Sequence, residues 1–248
     1  MFGNHFYHAT TRKAVALFGT IFNNISVIRQ DGGGNVLNQI KVPLAYGPKQ
    51  KFLSRLDTPT GQDATMAIKL PRMGFEITSM DIDSTQKLAK RNQIVENHAT
   101  DSTKKKTIKQ AVAYNINMSL FAMAKNQDDG LQIMEQILPY FQPEYTVTIN
   151  PVTGFDYKQD VPIILNAVTI QDDYEGDYQT RRALIYQFDF VMKMKYFGPT
   201  ADQGVIREIN LDVDADASGV NILENMDFTI TPSSADEDDN YTVNVSIT

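Results

Sequence analysis

The sequence predicts an α+β fold of mostly antiparallel strands, a few helices and an acidic, strand-rich C-terminal extension. Two stretches, 112–124 and 184–196, place a non-polar or aromatic residue at every second position, as antiparallel strands with one face on a core do. Apolar residues at spacings of three and four after Thr10 indicate an amphipathic helix. After Gly198, short alternating segments are separated by acidic residues.

The N-terminal region predicts a helix, a hairpin and a second helix. The first helical pattern runs from Ala14 to Ile25, and Thr10 or Thr11 can cap its N-terminus. The stretch SVIRQDGGGNVLNQIKVPL indicates two strands joined by a tight turn, because DGGGN supplies residues that tolerate positive φ. A phosphate-binding loop would need a following helix or a Lys-Ser/Thr pair, which this stretch lacks. Residues 49–56 predict a short helix.

The middle of the chain changes from a strand to a long polar segment. IKLPRMGFEITSMDID indicates extended chain, with Phe75, Ile77 and, less regularly, Ile82 as inward-facing candidates. The polar stretch 84–106 is partly helical at best. Its lysine cluster, 104–106, could meet phosphate or an acidic partner, but a solvated loop is the favoured interpretation of such a charge run.

A third helix is predicted at 128–138, ahead of VPIILNAVTI, which is as evenly apolar as a central strand. The helix must end at Pro139, because proline cannot continue it. Pro139 and Pro143 fix a rigid turn that holds Tyr140 and Phe141 in one orientation. Adjacent aromatics of this kind suit closure of the core or an anchor in a subunit interface. We favour the core.

The composition excludes several kinds of chemistry. A chain of 248 residues without cysteine has no disulfide framework, no thiolate nucleophile and few routes to structural zinc. His5 and His8 would share a helix face, but solvent-facing or packed histidines are favoured over a metal site, and no cofactor is expected. No apolar run approaches the roughly 18 to 20 residues of a membrane span, and the N-terminus lacks the order of a signal peptide. We expect the protein in a cytoplasm, away from membranes.

The net charge of -7 is unevenly distributed along the chain. Residues 199–248 carry eleven acids and one base, which leaves residues 1–198 with a net charge of +3. We therefore expect a core domain, 1–198, and an acidic extension, 199–248. This split suggests partner surfaces or self-assembly, because no dense basic stripe with interleaved aromatics indicates nucleic-acid readout.

One acidic segment could be catalytic. The stretch DDYEGDYQTRR connects two predicted strands, and its carboxylates could act with an arginine and a divalent cation as a hydrolase site. The residues of that site would be Asp172, Asp173, Glu175, Asp177 and Arg181. A surface turn whose charges contact a neighbouring subunit is the favoured alternative.

A second acidic motif is the DxDxD at 212–216, which invites a calcium-loop interpretation. That interpretation fails because Ala217 stands where the loop needs glycine and Leu223 stands where it needs a bidentate glutamate. An alternating acidic strand that adds to a sheet edge fits the pattern better.

Four stretches, taken in order, carry a family resemblance. They are the start MFGNHFYHATTRKAVALFGTIFNNISVIRQ, the LPR at 70–72, EQILPYFQP at 135–143 and GDYQTRRALIYQFDFVMKMKYFGP at 176–199. Together they resemble the tail sheath stabiliser and completion proteins, or tail terminators, of T-even-like contractile-tailed bacteriophages. The resemblance covers approximately the first two hundred residues, and EQILPYFQP and the MFG start are its most specific parts.

The resemblance implies an α/β fold with a central sheet flanked by helices. It also implies a homo-hexameric ring, without enzymatic activity, on the last ring of the tail tube protein and of the tail sheath protein. Such a ring ends tail growth, holds the sheath extended and receives the neck and head-completion proteins at the head-proximal end of the virion tail. Another ring of the same tail, in the neck or the baseplate, is the alternative within the same structural class.

The candidate interface residues combine the aromatic turn with the charged segments. The acidic extension is expected to contact a neighbouring subunit or a neck protein, with basic residues as counter-charges. The candidates are Tyr140, Phe141, Asp177, Arg181, Arg182, Lys104, Lys105 and Lys106.

Overall fold

The computed structural model describes residues 5–56, 70–86, 89, 91–98, 104–175, 180–204, 206, 208–214, 222–231 and 242–247. At 55, 56, 172–175, 180–182, 208, 212, 214, 222 and 223 it describes the backbone only. The chain divides into two compact units. The core unit comprises 7–87 and 111–197, and the second unit comprises 1–6, 88–110 and 198–248.

The described elements include three α-helices and fourteen strands. The helices are α1 (Thr10–Ile21), α2 (Lys49–Leu56) and α3 (Gln127–Ile137), the last followed by a 3₁₀ turn at Leu138–Tyr140. The strands of the core unit are β1 (Ser26–Gln30), β2 (Val36–Lys41), β3 (Leu44–Tyr46), β4 (Arg72–Ile82), β7 (Val112–Ala124), β8 (Glu144–Ile149), β9 (Gln159–Glu175) and β10 (Thr180–Tyr196). Those of the second unit are β5 (Gln93–Asn97), β6 (Lys104–Lys109), β11 (Thr200–Gly204), β12 (Glu208–Asp214), β13 (Ile222–Thr231) and β14 (Thr242–Ile247).

A six-stranded sheet forms the centre of the core unit, in the order β3-β4-β7-β10-β9-β8. Its neighbouring strands are antiparallel except β3 and β4, which are parallel. The prediction of a mostly antiparallel or mixed sheet with a few helices is therefore confirmed. Strands β1 and β2 form a separate hairpin.

The period-two pattern of β10 predicts the core correctly. Its alternate side chains from Leu184 to Met194 are all buried. Phe18 of α1 packs between this strand and β4, with ring-centroid distances of 5.3 Å to Phe190 and 5.2 Å to Phe75. In β7 the pattern is less complete, because Val112 at the start of the strand is half exposed. The six-stranded sheet and α1 thus enclose one aromatic core.

Two local predictions in the core unit are wrong. Helix α1 is not capped by a threonine side chain: Ala9 is the N-cap, with φ 55°, and the Thr11 hydroxyl shares a 2.9 Å hydrogen bond with the Tyr196 hydroxyl. Ile82 does not face the core, because it is 63% exposed at the end of β4, beyond a β-bulge between Ile77 and Ser79.

The predicted hairpin turn is confirmed between β1 and β2. Asp31 Oδ1 accepts hydrogen bonds from the backbone N–H groups of Gly33 and Asn35, both at 2.9 Å. Gly34 has φ +82°, a conformation that residues with a Cβ rarely adopt. The hydrogen bonds from Asn35 and Gly33 lower the pKa of the Asp31 carboxyl.

In the second unit, the lysine cluster 104–106 lies in a strand, so the loop interpretation is wrong. Strand β6 pairs with β5 on one side and with β11 on the other. Backbone pairing on both sides, together with burial of Thr107 and Ile108, overrides the local preference of a lysine run for solvated loop. The other sheet of this unit has the order β12-β13-β14.

Candidate functional site

An apolar groove of about 750 Å³ lies on the core unit beside the 3₁₀ turn that follows α3. Helix α1, the C-terminal end of α3, the turn and strand β8 form its walls. Its apolar wall residues include Leu17, Ile21, Pro139, Tyr140, Tyr145 and Val147. A concave apolar surface of this kind is the usual form of a binding site for a ligand or a partner side chain.

The sequence around Pro139 explains how the turn borders this groove. Helix α3 ends at Ile137, two residues before the proline that cannot continue it. The Phe141 N–H then donates to the Leu138 carbonyl at 3.2 Å, which closes the 3₁₀ turn. The helix packs on the core through Ile133 and Ile137, which are buried.

The two aromatic side chains of the turn lie in different environments. The Phe141 ring centroid lies 5.0 Å from that of Phe190 and 6.1 Å from that of Phe22, so Phe141 closes the core. Tyr140 is 68% exposed. The core interpretation thus describes Phe141 and is wrong for Tyr140, which stands at the wall of the groove as a solvent-exposed aromatic residue.

Two glutamines fix α3, and with it the groove, against strand β1. Gln132 accepts from the Ile28 N–H and donates to the Ile28 carbonyl, both at 2.9 Å. One turn further on, Gln136 donates to the Ser26 carbonyl at 2.8 Å and accepts from the Ser26 N–H at 3.4 Å. Gln132 and Gln136 are four residues apart on the helix, which corresponds to a rise of about 6 Å. Ser26 and Ile28 are two residues apart on the strand, which corresponds to roughly 6.6 Å. Because the two distances are similar, both glutamine amides can bind the backbone of β1 at the same time.

A salt bridge supports the other end of the same helix. Arg29 Nη2 lies 3.0 Å from Oδ2 of Asp129, whose side chain is 3% exposed. The four side chains that join β1 and α3, those of Arg29, Asp129, Gln132 and Gln136, were not predicted from the sequence. The spacing of four between Gln132 and Gln136 was the available signal, but it does not identify the strand whose backbone the two amides bind.

The candidate lysines lie in the second unit, beside acidic residues of the same chain. In the strand register, Lys106 pairs with Asp202 of β11 on one side and with Glu96 of β5 on the other. Lys105 pairs with Gln203. These lysines therefore belong to the middle strand of a three-stranded sheet in the second unit, whereas the groove belongs to the core unit.

The remaining candidates fall in the β9–β10 connection. Asp177 lies outside the described residues, while Arg181 and Arg182 belong to the backbone of β10 without described side chains. The same limit applies to Asp172, Asp173 and Glu175 of the hydrolase alternative, which lie in the backbone of β9. Their strands do pair with each other across this connection, as predicted.

Two further properties concern the described part of the chain. Within it, no three His, Asp or Glu side chains stand close enough to hold a metal ion. No helix among the described residues has the length and apolar character that crossing a membrane requires.

Comparison with known proteins adds the family. The model of a family described as T4-like virus Myoviridae tail sheath stabiliser matches residues 5–248. The tail completion protein gp15 of Enterobacteria phage T4 is 28% identical to the chain over 251 residues, which cover 96% of this chain and 90% of that protein. Both matches span the core unit and the second unit.

Proposed function

Because the chain belongs to the T4-like virus Myoviridae tail sheath stabiliser family, we propose that it forms a homo-hexameric ring on the last rings of the tail tube and sheath. The chain is a structural protein of the virion tail that completes the tail and stabilises its sheath, and it is not an enzyme. The match over residues 5–248 carries this conclusion. Ring size, attachment of the neck and head-completion proteins, and assembly in the host cytoplasm are part of the proposal.

The groove beside Tyr140 supports a subunit contact within the ring. Exposed aromatic residues on rigid supports often dominate the energy of protein interfaces, because they bury a large area and lose little conformational entropy. Tyr140 meets both conditions, since it is 68% exposed and α3 is tied to β1 by Gln132 and Gln136. Its neighbour Phe141 holds the turn on the core.

The ring would stabilise the extended sheath by mass action. A protein that binds only the extended arrangement of sheath and tube favours that arrangement by its difference in affinity. Six identical contacts act together, so about 1 kcal/mol per subunit gives roughly 6 kcal/mol and a bias of about 10⁴-fold. No chemical step is needed.

The acidic, strand-rich extension 199–248 is proposed to contact a neighbouring subunit or a neck protein. Its first strand, β11, pairs with β6 of the same chain, which places Asp202 beside Lys106. The part available for partners is therefore 205–248, which carries ten acids and one base. Arg181 and Arg182 remain candidate counter-charges, and Asp177 remains a candidate in the same connection.

Labelling tests the position in the tail. A tag at the N-terminus of the protein, detected by electron microscopy on isolated tails, is expected at the head-proximal end. A label in the baseplate or in the neck above the sheath would favour another ring of the same tail. Tails assembled without this protein should carry overlong tubes or contracted sheaths and should not join heads, and tails of normal length and capsid attachment would contradict the proposal.

A further inference from the structure

The sheet β12-β13-β14 has an apolar face. In its central row, Phe228 of β13 lies between Ile209 of β12 and Val245 of β14. Because side chains alternate along each strand, the neighbouring positions Asp227 and Ser246 pair on the opposite, polar face. The rows on either side of Phe228 are also apolar: Leu211–Met226–Ile247 and Ile230–Val243.

Among the described residues, this apolar face is not covered. In these three rows the side chains on the two outer strands are 49% to 57% exposed, from Leu211 to Ile247. The apolar face ends at the next row, where Val213 pairs with Glu224. None of the described residues between 208 and 247 is buried. A sheet normally buries one face against another layer, and contiguous exposed apolar patches mark interaction sites.

We infer that a second copy of the chain covers this face, and that the face docks over the apolar groove beside Tyr140 of that copy. The inference rests on the proposed ring and specifies its subunit contact. A closed ring is built from heterologous contacts, in which two different surfaces of each chain meet. The apolar face of the second unit and the apolar groove of the core unit are two such surfaces.

The distribution of charge argues for this arrangement and against a face-to-face pairing of two β12-β13-β14 sheets. Residues 205–248 carry a net charge of -9, so two copies of this segment would repel each other. The segments of the core unit, 7–87 and 111–197, contain sixteen bases and seventeen acids, so they are nearly neutral. Among the described residues that line the groove, Glu135 is the one that carries a charge. The core unit, with a net charge of -1, would therefore repel the segment 205–248 less than a second copy of that segment would.

The sizes of the two surfaces are compatible. Three strands about 4.8 Å apart and five residues long present a face roughly 10 to 15 Å wide and about 17 Å long. A groove of about 750 Å³ accommodates several side chains of such a face. A stable interface buries about 800 Å² on each partner, so this contact would form the apolar centre of a larger interface.

Cysteine cross-linking tests the contact directly, because the chain contains no cysteine. Two variants are purified separately. Thr20→Cys carries a thiol at the groove, and Val245→Cys carries a thiol on the apolar face of the sheet. The two preparations are mixed, alone and with tail tubes, and treated with a short bismaleimide. Ser246→Cys, one residue away on the polar face, is the matched control. Light scattering before cross-linking reports whether the mixture has assembled.

We expect a covalent dimer of the Thr20→Cys and Val245→Cys chains, at least tenfold more abundant than with Ser246→Cys. A predominant dimer of two Val245→Cys chains would overturn the inference in favour of face-to-face pairing. If the mixture assembles but no covalent dimer of Thr20→Cys with Val245→Cys forms, the inference is wrong while the proposed ring is still supported. Failure to assemble, alone and on tubes, would overturn both the inference and the ring.

Discussion

Gly130 of α3 lies directly against the ring of Tyr186: a Cβ built on Gly130 would stand 2.1 Å from Tyr186 Cε2. Tyr186 is 1% exposed, so its ring cannot swing away into solvent. The glycine therefore lets α3 approach the sheet closely, which brings the following turn and Tyr140 to the groove. A residue that weakens a helix in isolation is required here for packing.

Replacing Gly130 by alanine should therefore destabilise the protein. Alanine favours an isolated helix by about 1 kcal/mol over glycine, but overpacking in a core typically costs about 1 to 3 kcal/mol, and this contact is severe. We expect a net loss of about 2 kcal/mol in the free energy of unfolding, measured with urea. Gly19→Ala in α1, where the added Cβ would lie 3.3 Å from the Phe75 ring, is the matched control and should change stability by less than about 1 kcal/mol. Equal effects at both positions would contradict the packing explanation.

Removing the Gln132 side chain should loosen α3 from β1. Gln132→Ala deletes two hydrogen bonds to the Ile28 backbone, and each such bond contributes about 0.5 to 1.5 kcal/mol. The expected loss of unfolding free energy is about 1 to 2 kcal/mol. Glu135→Ala, at an exposed position of the same helix, should stay within about 0.5 kcal/mol of the wild type. A neutral Gln132→Ala would show that β1 does not hold the helix.

Substitutions of Tyr140 and Phe141 should have different effects, the first on ring assembly and the second on the stability of the fold. Tyr140→Ala is expected to leave the free energy of unfolding within about 0.5 kcal/mol, because the side chain is 68% exposed. It is expected to abolish the ring if Tyr140 anchors the proposed subunit contact. Phe141→Ala should cost about 3 kcal/mol, because it empties part of an aromatic cluster. Urea unfolding and light scattering measure the two effects. A ring that persists in Tyr140→Ala would remove Tyr140 from the interface.

The Asp83 carboxylate should make the free energy of unfolding depend on pH in the acidic range. The hydrogen bond from the Thr85 hydroxyl is the largest cause that lowers the pKa of this carboxyl below its ordinary value of 3.8, and Lys193 adds to it. A lowered pKa in the folded state stabilises the protein above pH 3.8, and this stabilisation is lost as the pH falls through the folded value. Thr85→Val should therefore be less stable than the wild type at neutral pH, with a difference that shrinks below pH 3.8. Thr78→Val, which loses a hydroxyl bond to the Asn117 carbonyl, should show a difference independent of pH.

Much of the core unit could be predicted because its pattern is local. The alternation along β10 and the apolar spacing of α1 follow directly from strand and helix periodicity. The DGGGN turn is equally local, since Asp31 and Gly34 carry its geometry within five residues. In the second unit, the strand-like alternations after Gly198 are borne out by β12, β13 and β14.

The errors arise where distant contacts decide the outcome. Lys104–Lys109 is a strand because β5 and β11 pair with it on both sides, which no local propensity of a lysine run indicates. Thr11 does not cap α1, because the helix already begins at Thr10 with Ala9 as its N-cap, and the Thr11 hydroxyl shares a hydrogen bond with Tyr196, far along the chain. The groove could not be predicted from EQILPYFQP alone, because α1 and β8 supply the rest of its walls.

The mass of the purified protein in solution, alone and with added tail tubes, tests the hexameric ring most directly. Multi-angle light scattering should give a mass near six times 27.9 kDa in at least one of the two conditions. A mass of 27.9 kDa in both conditions, with no binding to tubes, would contradict the ring.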